Sequence, residues 1–99
     1  MFGKGMMEKL QAMKQETESI KRRLDTIFVK GEAENGKIKV EISGNRKIKT
    51  ISVDDSLMND KEELEELLII ATNRAIEQAD HVNEMEMGKA AINFMPNMK

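Results

Sequence analysis

Apolar residues recur at alternating steps of four and three over the first quarter of the chain, which is the spacing of one helix face. The members of this seam are Met6, Leu10, Met13, Thr17, Ile20, Leu24 and Ile27, of which Thr17 is the one polar interruption. The pattern predicts a helix over residues 4–28, about 37 Å long at about 1.5 Å per residue. A compact domain of about 100 residues is very roughly 33 Å across.

A helix as long as its own domain leaves part of its seam uncovered by its own chain. A second helix is the simplest cover for such a seam, and a second copy of the chain is the simplest source of that helix. We therefore expect a homodimer whose interface includes Met13, Ile20, Leu24 and Ile27.

The pattern changes to a period of two over residues 29–53, as in β-strands. Asn35-Gly36 is a strong signal for a two-residue hairpin turn, because both turn positions need a positive φ. The register that follows opposes Val29 with Ile42, Lys30 with Glu41, Gly31 with Val40, Glu32 with Lys39, Ala33 with Ile38 and Glu34 with Lys37. Opposite charges then share one face and apolar residues the other, so the predicted register is self-consistent.

The second hairpin can be drawn with a loop of two or three residues. A two-residue loop at residues 44–45 places Ile42 opposite Lys47. A three-residue loop at residues 44–46 places Ile42 opposite Ile48 instead, and it pairs Glu41 with Lys49. We prefer the longer loop, since it keeps the apolar residues together, and the two hairpins then form a three-stranded antiparallel meander.

A second long helix is predicted to start near Asp60, which can cap it with Glu63 three residues later. Its apolar positions keep helical spacing as far as Met85, and Gly88 is expected to end or bend it. The order is α-β-β-β-α, which predicts an α+β fold. We expect one domain over residues 1–99, with a flexible start at residues 1–5 and a loose tail at residues 94–99.

The composition excludes several classes of site. The chain of 99 residues has no cysteine and a single histidine, His81, so neither thiolate chemistry nor a multi-histidine metal site can be built. The longest apolar run, residues 67–71, is far shorter than the roughly 20 residues that span a bilayer. The first residues lack the apolar core of a signal peptide. We expect a cytoplasmic protein that is not an enzyme and that needs no metal or cofactor.

The net charge of −2 conceals an asymmetry. Residues 1–53 carry twelve Lys and Arg against seven Asp and Glu, a net charge of +5, while residues 54–99 carry four against eleven, a net charge of −7. One interpretation is that the first half faces a polyanion. The other is that the two halves attract each other within the fold.

Binding to nucleic acid requires cations without local partners. Lys9 and Arg23 have no carboxylate three or four residues away, Arg46 and Lys47 are uncompensated at the second hairpin, and Lys49 shares Glu41. With the basic run at residues 21–23, the candidates for phosphate contacts are Lys9, Lys21, Arg22, Arg23, Arg46, Lys47 and Lys49. A solvated helix face is the alternative explanation. The chain has no Trp or Tyr for stacking single-stranded bases, which favours duplex DNA.

Several segments, in this order and spacing, resemble the YbaB/EbfC family of bacterial nucleoid-associated proteins. They are Met1-Phe2-Gly3-Lys4-Gly5, Gly36-Lys37-Ile38-Lys39-Val40, Ile51-Ser52-Val53-Asp54-Asp55-Ser56-Leu57, Asp60-Lys61-Glu62-Glu63-Leu64-Glu65-Glu66-Leu67 and Ala71-Thr72-Asn73-Arg74-Ala75. The resemblance implies a tweezer-like homodimer that binds DNA and organises the nucleoid. Asp55 replaces a proline common in that family, and the family's longer tail is reduced to residues 94–99, which leaves the tail's role open.

Residues and resemblance together predict a non-enzymatic protein that binds duplex DNA as a homodimer, mainly through phosphates and with weak sequence preference. The location expected for it is the cytoplasm, on the nucleoid, and a replication or repair protein is a further candidate partner. The alternative is a protein-interaction module whose acidic second half docks onto a basic protein.

Overall fold

The computed structural model describes residues 3–93, which form a helix, a small three-stranded sheet and a second helix in chain order. The elements are α1 (Lys4–Leu24), β1 (Phe28–Ala33), β2 (Ile38–Ser43), β3 (Ile48–Val53), a short 3-10 turn (Asp55–Leu57) and α2 (Lys61–Asn93). The predicted α+β order is therefore confirmed. Helix α1 begins at Lys4, inside the start expected to be flexible, while residues 1–2 and the predicted tail at residues 94–99 lie outside the described residues.

The first hairpin has the predicted register throughout β1 and β2, from Phe28 opposite Ser43 to Ala33 opposite Ile38. Asn35 and Gly36 occupy its turn with φ of 56° and 88°, and the Lys37 amide donates to the Glu34 carbonyl at 3.2 Å. Glycine adopts such a φ at no steric cost, which is why Asn-Gly marks this turn. The sheet order is β1-β2-β3, so β3 is an edge strand.

The second hairpin has the predicted three-residue loop, with Ile42 opposite Ile48. Arg46 closes the loop with a φ of 66°, and its amide donates to the Ser43 carbonyl at 2.9 Å. The predicted pairing of Glu41 with Lys49 is wrong, because Glu41 lies opposite Thr50. A β-bulge leaves Lys49 as the extra residue of β3, and this bulge returns Ile51 to the same face as Ile48.

Helix α2 packs its alanines directly on β1 and β2. Asp60 caps its N-terminus as predicted, accepting the Glu63 amide at 3.1 Å. The fully buried stripe of Ala71, Ala75 and Ala79 lets the helix backbone approach the strand at Gly31. A Cβ on Gly31 would lie 2.9 Å from Ala75 Cα, so only glycine fits this crossing.

Helix α1 ends four residues earlier than predicted, at Leu24, because the chain turns at residues 25–26 and enters β1. The Gly44 amide fastens this corner by donating to the carbonyls of Leu24 at 3.0 Å and Ile27 at 2.8 Å. Gly88 neither ends nor interrupts α2, which continues to Asn93.

The last turns of α2, from Glu86 onward, run alongside α1. We call α1 together with residues 86–93 of α2 the arm. The α1 seam is covered here within one chain, where Ile20 and Leu24 are 0% exposed. Ile20 and Leu24, which were predicted to line a dimer interface, are thus covered by their own chain and offer no surface to a second copy. Met13 is exposed and Ile27 half-buried. The arm makes the molecule 65 Å long but only 24 Å wide.

Candidate nucleic-acid interface

The structure brings two basic segments to one corner of the molecule. The Asn45 side-chain amide donates to the Lys21 carbonyl and to the Asp25 carboxylate, both at 2.7 Å, and so joins the β2–β3 loop to the end of α1. The buried Ser43 hydroxyl shapes the same loop by accepting the amides of Asn45 at 3.2 Å and Lys47 at 3.3 Å.

Six of the seven predicted phosphate-binding residues belong to these joined segments, and we call them the basic corner. Its members are Lys21, Arg22, Arg23, Arg46, Lys47 and Lys49, all of them exposed. The seventh candidate, Lys9, lies twelve residues before Lys21 on α1, about 18 Å away along the helix axis. Lys9 is therefore separate from the corner.

The two arginines predicted to lack partners are both paired with carboxylates of α2. Arg23 holds Glu86 in a two-pronged contact, with Nη2 to Oε2 at 3.0 Å and Nε to Oε1 at 3.3 Å. Arg46 holds Asp80 through Nε and Nη2, each 2.5 Å from Oδ1. The expectation of free arginines is therefore wrong, since it considered only carboxylates three or four residues away and these lie at least 34 residues away.

The ion pair at Arg23 alters the titration of both partners. The hydrogen bond from Arg23 lowers the pKa of the Glu86 carboxyl, with further help from the charges of Arg23 and Lys89. The same hydrogen bond raises the pKa of Arg23. Glu86 is the more covered partner, with 12% of its side chain exposed, whereas Arg23 is 47% exposed.

The lysines of the hairpin have weaker or different partners. Lys47 Nζ lies 4.0 Å from Asp25 Oδ1, which is the limit of an ion pair. The Lys49 ammonium lies 4.2 Å from the centre of the Phe28 ring, as in a cation–π contact. Both ammonium groups keep access to solvent and can still meet a phosphate.

The strand lysines that the register places opposite glutamates form no ion pairs with them. Among residues 3–93, Lys30 and Lys39 lie opposite Glu41 and Glu32 in register but not within 4.0 Å of a carboxylate. The Glu41 carboxylate instead accepts the Thr50 hydroxyl at 3.3 Å. Lys21 and Arg22 likewise form no ion pair with a described carboxylate, so they are the freest cations of the corner.

The basic corner presents a cluster of positively charged side chains. Within residues 3–93 no group of three or more His, Asp or Glu side chains is placed to hold a metal, and His81 is exposed on α2. No helix in this part of the chain is long and apolar enough to cross a membrane. A clustered set of exposed Lys and Arg can hold the oxygens of successive phosphates.

Comparison with known proteins gives three findings. The model of the YbaB/EbfC DNA-binding family matches residues 2–94. A nucleoid-associated protein of Flavobacterium johnsoniae is 44% identical over 94 residues, which cover 95% of this chain and 89% of the relative. A nucleoid-associated protein of Chlorobium phaeobacteroides is 31% identical over 91% of this chain and 81% of the relative. The crystal structure of an uncharacterized Helicobacter pylori protein shares the fold, with a TM-score of 0.73 over 96% of this chain and 99% of the other at 21% identity.

Proposed function

The chain belongs to the non-enzymatic YbaB/EbfC DNA-binding family, and from that premise we propose that it binds duplex DNA as a homodimer through the basic corner. The observation that carries the proposal is the convergence of basic residues from α1 and the β2–β3 hairpin at Asn45. Their contacts go to the phosphate backbone, which gives affinity for any duplex and weak sequence preference. The nucleoid is the location that follows, as the names of the relatives suggest.

The shape of the corner favours a duplex over a single strand. Stacking of successive bases uses several exposed aromatic rings, whereas residues 3–93 hold one aromatic side chain, Phe28, which is 43% exposed and has the Lys49 ammonium over its ring. Cations on a helix end and an adjoining loop instead match phosphates spaced along a backbone. The acidic start of α2 has a structural explanation, since Glu62 and Glu63 suit the positive end of the helix dipole, so the alternative of docking a basic protein gains no support there.

Fluorescence anisotropy of a labelled duplex, measured at several salt concentrations, tests the DNA contacts. We expect the double variant with Lys21→Glu and Arg22→Glu to lose about tenfold or more in affinity, with a salt slope shallower by about 0.9 for each lost phosphate contact. The control combines Lys37→Glu and Lys61→Glu, which change the net charge equally at exposed sites outside the corner. An unmodified protein that does not bind at low salt would contradict the proposal.

The proposed homodimer rests on an uncovered apolar surface beside β3. Helix α2 packs mainly on β1 and β2, and it leaves the β3 part of the same sheet face open. Ile48 and Ile51, which lie opposite the buried Ile42 and Val40, are 57% and 48% exposed. A monomer rarely leaves large aliphatic side chains of an edge strand in water, because they promote association.

Helix α2 extends this surface with a further isoleucine. Ile69, 62% exposed, shares a helix face with Ile76 and Asp80 at spacings of seven and eleven residues. Ile76 packs against the core, and Asp80 contacts Arg46 in the loop that leads to β3. Ile69 therefore lies on the β3 side of α2. A two-fold axis through this region places identical apolar surfaces against each other, as in an isologous dimer.

Sedimentation equilibrium at micromolar concentration tests this interface. We expect the unmodified protein to sediment with twice the 11.3 kDa mass of one chain, and Ile51→Lys to sediment as a monomer, because a buried ammonium without a partner opposes association. The matched control is Ile92→Lys, which changes an exposed isoleucine of the arm and should leave the dimer intact. The opposite pattern, with dissociation only by Ile92→Lys, would place the interface on the arm.

A further inference from the structure

Two of the three arginines of the basic corner, Arg23 and Arg46, are held by carboxylates of α2, and a DNA-binding surface has to give up such contacts. We propose, building on the DNA-binding function above, that Asp80 and Glu86 compete with DNA phosphates for Arg46 and Arg23 and so limit the affinity of the corner. The two acidic residues act as built-in substitutes for the ligand.

The geometry of the two pairs makes a phosphate a direct replacement. A guanidinium binds carboxylate and phosphate oxygens with the same fork of N–H groups. Arg23 presents that fork to Glu86 through Nε and Nη2, and Arg46 presents the same two nitrogens to Asp80. Nearly half of each arginine side chain is exposed, so a phosphate can reach both.

The charges of the corner also favour competition between the carboxylates and DNA phosphates. Each paired carboxylate cancels the charge of its arginine, so the pair as a whole no longer attracts an approaching phosphate. Asp25, Asp80 and Glu86 all lie among the six cations of the corner. Ion pairs whose arginine is open to solvent contribute little to stability, so DNA can exchange them.

A structural role for the two carboxylates leads to the opposite expectation. If Asp80 served to orient Arg46 toward DNA, removal of its charge would misplace the guanidinium and weaken binding. Competition instead means that removal of the charge strengthens binding. The sign of the change therefore separates the two roles.

The experiment compares Asp80→Asn and Glu86→Gln with Glu77→Gln and Glu84→Gln in the same anisotropy assay. All four substitutions remove one negative charge from α2, and all four leave an amide of nearly equal size. Glu77 and Glu84 are exposed residues of the same helix stretch, and within the described residues neither forms an ion pair. The loss of one negative charge from α2 is thus common to all four variants.

We expect Asp80→Asn and Glu86→Gln each to raise DNA affinity by up to about fivefold. The salt slope should become steeper by up to about 0.9 for each released arginine. The two control variants should change affinity by less than about twofold and leave the slope unchanged, because neither carboxylate holds a cation. Binding by Asp80→Asn and Glu86→Gln that equals the controls, or that is weaker than for the unmodified protein, would overturn the proposal.

A double-mutant cycle assigns the gain to the pair itself. In an Arg46→Ala background, Asp80→Asn should give no gain beyond that of Glu77→Gln, since the arginine to be released is absent. A gain that persists there would show that Asp80 acts by general charge, which also overturns the proposal. If neither the unmodified protein nor the variants bind DNA at low salt, the DNA-binding function itself fails. If the unmodified protein binds and the variants follow the controls, only this inference fails.

Discussion

At the scale of single residues, two glycines illustrate how position decides the effect of one methyl group. Gly31 lies where the backbone of α2 crosses β1, and a Cβ there would overlap the Ala71 carbonyl oxygen and the backbone of Ala75. Gly88 lies on the exposed side of α2, and nothing stands within 4 Å of the place a Cβ would take.

Alanine at these two glycines should therefore change stability in opposite directions. We expect Gly31→Ala to lower the free energy of unfolding by about 1–3 kcal/mol or more, because the helix has to move off the strand. Gly88→Ala should raise it by about 0.5–1 kcal/mol, since glycine is a poor helix residue. Urea denaturation followed by circular dichroism measures both, and equal effects would show that α2 does not rest on Gly31.

The lowered pKa of the Glu86 carboxyl makes the stability of the protein depend on pH. Its pKa is lowered in the folded state by Arg23, so its contribution is fully present above the ordinary glutamate pKa of about 4.3. The contribution is lost as the pH falls through the lower folded pKa. The difference in melting temperature between the unmodified protein and Glu86→Gln should therefore shrink as the pH falls from about 4.3 through the lower pKa of the folded protein.

The matched control for this titration is Glu84→Gln. The pKa of Asp54 is also lowered, by hydrogen bonds from Ser56, but Asp54 is present in all three proteins and cancels in the comparison. A difference between unmodified protein and Glu86→Gln that stays constant down to strongly acidic pH would contradict the role of the ion pair.

At the scale of elements, the α1 seam divides into a covered and an uncovered half. Leu24 is fully buried within the chain, while Leu10 is 50% exposed on the same seam. We expect Leu24→Ala to lower the free energy of unfolding by about 2–5 kcal/mol through the cavity it leaves. Leu10→Ala should change it by no more than about 0.5 kcal/mol. Chemical denaturation of each variant checks the two values, and similar losses would mean that the whole seam is buried.

The elements themselves could be predicted from periodicity and turn residues. The Asn35-Gly36 turn and the alternation around it specified the whole register between β1 and β2. The bulge at Lys49 was missed, although the sequence holds a signal for it. Ile48 and Ile51 are three residues apart, and two residues at that spacing share a strand face only if an extra residue intervenes.

The partners of the arginines could not be predicted from local spacing. Helix rules pair residues three or four apart, whereas Arg23 reaches Glu86 across 63 residues and Arg46 reaches Asp80 across 34. Such pairs depend on where α2 lies over the sheet, and that follows from the close contact of Gly31 with Ala75. Residue type identified the basic corner, but only the tertiary structure shows which of its cations are occupied.

At the scale of the whole molecule, the structure shows one of the two interpretations of the charge asymmetry, which is attraction between the halves. The pairs Arg23–Glu86 and Arg46–Asp80 join the basic first half of the chain to the acidic second half within one fold. Lys21 and Arg22 stay outside these pairs and face solvent. Internal attraction thus engages Arg23 and Arg46, while the proposed DNA contacts use Lys21 and Arg22 directly and reach the two arginines by displacing their carboxylates.

The arm predicts an unusually extended monomer. Its Cα radius of gyration is 19.1 Å, whereas a compact domain of this length has a radius near 13 Å. Small-angle X-ray scattering of the Ile51→Lys variant, once sedimentation has shown it to be monomeric, should give a value close to 19 Å. The covered half of the seam holds α1 against α2. A Leu24→Ala, Ile51→Lys double variant should therefore give a broader distribution of interatomic distances, because this contact loosens. A radius near 13 Å for Ile51→Lys would mean that the arm folds back onto the sheet, and the cations of α1 would then present a different surface to DNA.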